Sequence, residues 1–322
     1  LHAQFTAGNV VVLQAGDGSI PLANTGNAVI LKEFTPVGGA GITVTVPSTG
    51  GTSLIVAGNA TSEGLMTRSA NGSALIFAGY AAAIPTGTNI TTSASATINR
   101  AIGSVNASGT FTRVATSATF HTGGNIRSAA SDGANNYWSS GSNEGTNYFG
   151  IASAATNVQN NKVNNRGTAV FNNKLYFSSQ VATSSGPAQP NLGIYQVGTG
   201  LPVTAGQTIV NVINTGTGSQ PAGFFFNSAG DVCYIADGRT IVNGGGIQKW
   251  TFNGSAWTLA YTLGTGAGST FGAYGIAVDF SGANPVIYAT TTETTLNRVI
   301  KVTDTGVGAI ATTLSTATTN TI

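Results

Sequence analysis

Residues 223–238, Gly223-FFFNSAGDVCYIADG, hold an entire structural unit in one phrase. A glycine opens an apolar strand, an Asn-Ser-Ala-Gly-Asp turn reverses the chain, and a second strand carries an aromatic residue near its middle. The phrase returns as Gly64-LMTRSANGSALIFAGY, Asn125-IRSAASDGANNYWSSG, Gly167-TAVFNNKLYFSSQ and Gly275-IAVDFSGANPVIYATT. Repetition at this scale, in strands and without helical periodicity, points to small sheets repeated around an axis or along a line.

Each phrase runs on into a second hairpin, which gives four strands per unit. Ile98-NRAIGSVNASG with Thr110-FTRVATSAT, Tyr148-FGIASAAT, Gly193-IYQVGTG with Thr208-IVNVINT, Gly246-IQKWTFNGSAWTLAYTL and Asn297-RVIKVTDTGVGAIATTL supply these outer strands. Alternating apolar and polar residues on both sides of an Asn-Gly or Thr-Gly pair are a strong hairpin signal. The first strands begin about 53 residues apart, so the chain divides into about six units. The expected fold is therefore all-β: a single β-propeller spanning residues 1–322, with about six four-stranded blades. A seventh blade follows if Ser53-LIVAG conceals a strand pair.

The opening segment supplies only three strands, Asn9-VVVLQAGDG, Ala28-VILKEFTPVGG and Ile42-TVTVP. Its innermost strand must come from elsewhere, because an open ring leaves unpaired backbone at the seam. The tail Ser315-TATTNTI is the expected donor, closing the ring by pairing the two ends of the chain. Residues 82–96 and 181–191 read as longer loops. The recurring glycine at the head of the inner strand suits a place where strands crowd around the channel.

Twelve lysines and arginines and ten acids among 322 residues leave a surface wetted mainly by Thr, Ser, Asn and backbone. The net charge of +2 is small and scattered, which argues against nucleic acid as a partner. The single cysteine, Cys233, forbids an intramolecular disulfide and lies in an apolar strand, as a buried small hydrophobe does. No apolar run is long enough to span a membrane. Residues 1–4, Leu-His-Ala-Gln, read as a signal-peptide remnant or an extended N-terminus, so a secreted or cell-surface location is expected.

Catalytic chemistry is sparsely provided. Asp17, Asp132, Asp231 and Asp304 stand in turn contexts that explain an aspartate without catalysis. Asp237 and Glu293 follow second strands, at an end where propellers bind ligands, and are the better acid candidates. His121, in Phe120-His-Thr-Gly-Gly124, is the one histidine outside the leader, too few for a metal site. Arg68, Arg127 and Arg166 lie on or beside inner strands and either line the channel or tie blades together. Arg127, Arg166, His121, Asp237 and Glu293 thus form the candidate ligand-binding set, and no cofactor or metal is expected. Trp138, Trp250 and Trp257, with Tyr137, Tyr148 and Tyr195, are either a sugar-stacking platform or packing between blades. Asn-x-Ser/Thr triplets occur at Asn59, Asn71, Asn89, Asn106 and Asn253.

The second strands Lys174-LYFSS and Val232-CYIAD, paired with glycine-initiated inner strands, resemble those of secreted bacterial β-propellers of the NHL and related repeat type. The resemblance covers nearly the whole chain and implies the fold more than the activity. Ser131-DGANNYW is only half similar to the sialidase box, and that family's sites cannot be placed. The expected role is a non-catalytic surface or adhesion protein that contacts itself, other surface proteins or glycans. Scarce charge favours close packing between copies. The alternatives are a lectin and a polysaccharide lyase or hydrolase at the channel mouth. Acids and His121 converging in one pocket would favour the enzyme; dispersal over turns would favour binding.

Overall fold

The structure, a computed structural model, describes residues 4–150, 154–181 and 190–322. The first sheet contains β1 (Val10–Ala15), β2 (Val29–Phe34) and β3 (Ala40–Thr45). The second contains β4 (Thr67–Arg68), β5 (Ala74–Tyr80), β6 (Arg100–Asn106) and β7 (Phe111–Ser117); the third, β8 (Ile126–Ser131), β9 (Tyr137–Gly141), β10 (Thr146–Tyr148) and β11 (Thr156–Gln159). The fourth is β12 (Asn165–Phe171), β13 (Lys174–Ser179), β14 (Gly193–Val197) and β15 (Ile209–Asn214). The fifth is β16 (Pro221–Phe226), β17 (Val232–Asp237), β18 (Gly246–Phe252) and β19 (Trp257–Leu263); the sixth, β20 (Ala273–Asp279), β21 (Val286–Thr291), β22 (Arg298–Thr303) and β23 (Thr312–Thr316). Each sheet is an antiparallel meander, and the six stand in a ring as the blades of a β-propeller. Ser53–Ala57 makes only isolated bridges, Asn27 to Val56 and Ile55 to Tyr80, so it joins the first two blades rather than adding a seventh.

Turn chemistry accounts for much of the Asn and Asp content. Asn227 Oδ1 accepts the backbone N–H groups of Gly230, Asp231 and Val232, and Asn253 Oδ1 those of Ser255 and Ala256. Asn172 and Asn173 both adopt positive φ, 45° and 55°, as a two-residue hairpin between Phe171 and Lys174 requires.

Three inner strands, β12, β16 and β20, carry the glycines that the sequence places there, and these glycines sit at bulges. Pairing shifts register between Asn165 and Thr168 and between Pro221 and Phe224, the intervals that contain Gly167 and Gly223. A Cβ on Gly167 would lie 2.8 Å from the Ala222 carbonyl oxygen of the next blade, and one on Gly223 would lie 2.8 Å from that of Tyr274. Gly223→Ala is accordingly expected to force blades five and six apart and cost about 1–3 kcal/mol, read from the urea midpoint.

Five apolar clusters fill five of the six junctions between blades. Val29, Leu31 and Leu54 meet Phe77 and Val105 between blades one and two; Tyr80 and Ile102 meet Phe120 and Ile126 between two and three. Trp138 and Tyr148 meet Phe177 and Tyr195; Tyr176 and Ile194 meet Phe226 and Cys233; Tyr234 and Ile247 meet Val278 and Ile287. Cys233 is fully buried, as its apolar strand suggests.

None of these clusters fills the seam between blades six and one. There, Ala15 and Ile322 exchange backbone hydrogen bonds at 2.8 and 3.1 Å, and Lys301 Nζ donates to the Pro36 carbonyl at 3.1 Å. The chain ends do meet at the first blade. Ser315 and Thr316, however, belong to β23 at the outer edge of blade six, where they pair with Val299 and Arg298. Among the described residues of the tail, Ile322 alone bonds to the inner side of β1. The third blade also departs from expectation: β10 begins at Thr146 and stops at Tyr148, and the rest of Tyr148-FGIASAAT runs through residues 151–153, outside the described residues. Leu1–Ala3 of the expected leader and residues 182–189 of the expected 181–191 loop also lie outside them.

Candidate functional site

In four of the five four-stranded blades the inner strand starts where the second strand ends. Ile126 faces Gly141, Asn165 faces Ser179, Pro221 faces Asp237 and Ala273 faces Thr291. One face of the ring therefore collects Arg127, Arg166, Asp237 and Glu293, with His121 just past the end of β7. Of these five, the structure brings only Arg127 and Arg166 together.

The two guanidinium groups converge on one asparagine. Arg127 Nη1 donates to Asn164 Oδ1 and to the Asn165 carbonyl at 3.1 Å; Arg166 Nη1 donates to Asn164 Oδ1 at 2.7 Å and to its carbonyl at 3.2 Å. Asn164 holds a positive φ of 59° to place its amide there, a conformation that Asn tolerates better than most residues. Among the described residues no carboxylate lies within ion-pair distance of either arginine. Burial, then repulsion from Arg166, brings Arg127 down to about 10; burial also lowers Arg166. A buried and a half-buried guanidinium whose hydrogen bonds go to neutral acceptors, with Glu63 acting on Arg127 only through space, leave room for a further anion beside them.

Three further residues complete this end of the channel. Arg127 Nε donates to Ser62 Oγ at 3.1 Å, and Tyr274 Oη donates to the Ser62 carbonyl at 2.9 Å. Next to Ser62, Glu63 Oε1 accepts Tyr80 Oη and Asn125 Nδ2, both at 2.6 Å, while its Oε2 accepts the Ala57 N–H at 3.0 Å. Enclosure within the ring pushes Glu63 up to about 6 against those hydrogen bonds, and Tyr274 up to about 12. Glu63 keeps partial access to a cavity of about 1090 Å³ that runs along the channel and is also lined by Tyr274. Neither Glu63 nor Tyr274 stood out in the sequence.

The remaining candidates are engaged elsewhere. His121 is fully buried; its Nε2 accepts from Ser139 Oγ at 2.9 Å and from Asn147 Nδ2 at 3.1 Å, which places its proton on Nδ1. Glu144 Oε2 is 4.0 Å from Nδ1 and already accepts the His121 N–H and Asn147 Nδ2. Burial and the charges of Arg100 and Arg127 therefore prevail, taking His121 down to about 3. Asp237 is fully buried and bidentate to Arg239, with Gln248 on the same carboxylate. Glu293 is held by Arg298 at 2.6 Å and keeps one buried, unpartnered oxygen, Oε2. Arg68 lies at the opposite end of its strand and donates to the Gly72 carbonyl in its own turn.

Asp17, Asp132 and Asp279 accept turn hydrogen bonds, and Asp231 accepts from Asn227. Asp304 differs from the turn reading: besides capping Gly306, it joins Lys249, Tyr261 and Tyr234 in a buried cluster between blades five and six. Trp138 donates to the Pro202 carbonyl at 2.7 Å, Trp250 to Gln248 at 3.0 Å, and Trp257 packs on Phe226. Tyr137, Tyr148 and Tyr195 are buried. The aromatic residues thus serve blade packing. Among the described residues no three His, Cys, Asp or Glu side chains gather as a metal site would need, and no helix is long and apolar enough to cross a membrane.

No protein-family model matches the sequence, and no curated protein matches it. Solved structures do resemble the fold. A provisionally assigned 6-phosphogluconolactonase from Bacteroides fragilis aligns with a TM-score of 0.53 at 12% identity, over 97% of this chain and 82% of its own. Its counterpart from Bacteroides uniformis gives 0.50 at 12%, over 96% and 82%, and a chain of the nidogen/laminin complex gives 0.51 at 12%, over 92% and 89%. At such identities the likeness concerns the fold alone, and it is a likeness between β-propellers.

Proposed function

We propose that this protein is a non-catalytic, exported propeller of the NHL-like kind, acting by contact at a cell surface and gripping an acidic group of its partner at the Arg127–Arg166 end of the channel. The observation that carries the reading is the pair of guanidiniums sharing Asn164 with no carboxylate of the described residues in ion-pair range. The dispersal of the acids over turns and interblade ties supports binding over catalysis. Uronate or sialate carboxylates on glycans have the required chemistry, and Arg is suited to hold them bidentately.

Acidic and neutral oligosaccharides displayed on one array test this. Acidic ones are expected to be retained, and Arg166→Ala to weaken them about tenfold to a hundredfold, the loss of one or two charge-assisted hydrogen bonds. Retention indifferent to carboxylates would contradict it.

A second reading, a lyase or hydrolase acting on acidic polysaccharides, draws on Glu63, whose elevation to about 6 suits a general base. It ranks second because both Glu63 oxygens already accept hydrogen bonds from the protein.

A further inference from the structure

Three asparagines of the chain precede a glycine, Asn71, Asn243 and Asn253, and all three are exposed. The pair carries its own chemistry, because a glycine leaves the backbone nitrogen that follows the asparagine unhindered. That nitrogen can attack the side-chain carbonyl carbon, Cγ, and expel ammonia. Three local features govern the attack: whether the nitrogen is free, whether the departing Nδ2 is free, and whether donors to Oδ1 stabilise the charge that develops there.

At Asn71 and Asn243 the nitrogen is occupied. Gly72 N–H donates to the Ser69 carbonyl at 2.8 Å, and Gly244 N–H to the Ile241 carbonyl at 3.0 Å. Both side-chain amides are tied as well, Asn71 Nδ2 to the Gly133 carbonyl at 3.0 Å and Asn243 Nδ2 to Thr240 Oγ1 at 2.8 Å. Arginines lie over both glycines: a Cβ on Gly72 would be 2.7 Å from Arg68 Nη2, and one on Gly244 would be 3.3 Å from Arg239 Nη2.

Asn253, in the hairpin between β18 and β19, is arranged the other way. Among the described residues neither the Gly254 N–H nor Asn253 Nδ2 has a hydrogen-bond partner, and nothing lies within 4 Å of where a Gly254 Cβ would stand. Asn253 Oδ1, by contrast, accepts the Ser255 N–H at 3.0 Å, Ser255 Oγ at 3.1 Å and the Ala256 N–H at 2.9 Å, which together draw electron density from Cγ. We propose that Asn253 is a site of self-modification, converting to aspartate and isoaspartate in the folded protein while Asn71 and Asn243 persist. Gly254 N bonds to Asn253 Cγ as its proton passes to solvent; the Cγ–Nδ2 bond breaks, and ammonia leaves with a proton from water. Water then opens the cyclic imide at either carbonyl. The change lowers the net charge of +2 by one, and the isoaspartate form threads a side-chain carbon into the turn that pairs Phe252 with Trp257. The hairpin stands on the ring face away from the arginine pair, and the chemistry does not depend on what that pair binds.

Ageing the intact protein in mildly alkaline buffer made with heavy-oxygen water tests it, with label uptake located by peptide mass mapping. Asn253 is expected to take up label about tenfold or more faster than Asn71, whose reaction must first break two hydrogen bonds. In concentrated urea the two should react alike, since both stand in Asn-Gly-Ser. Equal rates in the folded protein, or a faster reaction at Asn71 or Asn243, would overturn the proposal. So would the same lead for Asn253 in urea, which would assign it to the sequence and not to the hairpin.

Discussion

Acidification is expected to unfold this protein through His121. The imidazole ordinarily titrates near 6.5 in an unfolded chain, and burial, reinforced by Arg100 and Arg127, holds it near 3 in the fold. A base whose folded pKa is depressed contributes its full stability above the unfolded value and loses it as pH falls through the folded one. Between pH 6.5 and 3 the unfolded chain therefore binds a proton that the native state refuses, at about 1.4 kcal/mol per pH unit and roughly 4–5 kcal/mol in total.

Glu63 opposes this over part of the range. Its folded value of about 6 lies above the ordinary 4.5, so its stabilising protonation is present below 4.5 and lost as pH rises through 6. That returns up to about 2 kcal/mol on acidification, less what solvent in the cavity screens. The net slope should be shallow between pH 6 and 4.5 and steep below. Urea unfolding at successive pH values measures it: His121→Gln should start less stable at pH 7 and fall less steeply below pH 4.5, where Glu33 and Asp304, both held below their ordinary values, still contribute. Parallel pH profiles for the two proteins would contradict the assignment.

Trp138→Ala is expected to cost about 3–5 kcal/mol, near the limit of what a single truncation does. The indole is fully buried between blades three and four, 5.7 Å from the Tyr148 ring, with its N–H on the Pro202 carbonyl. Removing it opens a cavity and strands a buried acceptor. Trp138→Phe should recover most of the packing but not the hydrogen bond, leaving a deficit of about 1–3 kcal/mol. Neither change should alter ligand binding at the channel end, since Trp138 serves the junction. Loss of glycan binding with an unchanged urea midpoint would instead restore Trp138 as a sugar platform.

The blades were legible because each is written locally. Gly167 and Gly223, the turn asparagines and the aromatic second strands all act within one blade or against the next, and their spacing survives in the sequence. The site was only half legible. Arg127 and Arg166 announce themselves by their place beside inner strands. Glu63 and Tyr274 do not, since Tyr274 meets Ser62 across 212 positions and only the closed ring brings them together. Asp237 and Glu293 lie on the right face but are neutralised by Arg239 and Arg298, partners that their place after the second strands does not reveal. His121 reads as a loop residue because nothing local shows that Ser139 and Asn147 enclose it.

Calorimetric titration with an oligogalacturonate, with the sugar recovered for mass analysis, tests the central claim most directly. The account predicts salt-sensitive binding that Arg166→Ala weakens about tenfold or more, with every sugar chain returned intact. Shortened or unsaturated sugars, or binding that Arg166→Ala leaves unchanged, would contradict it.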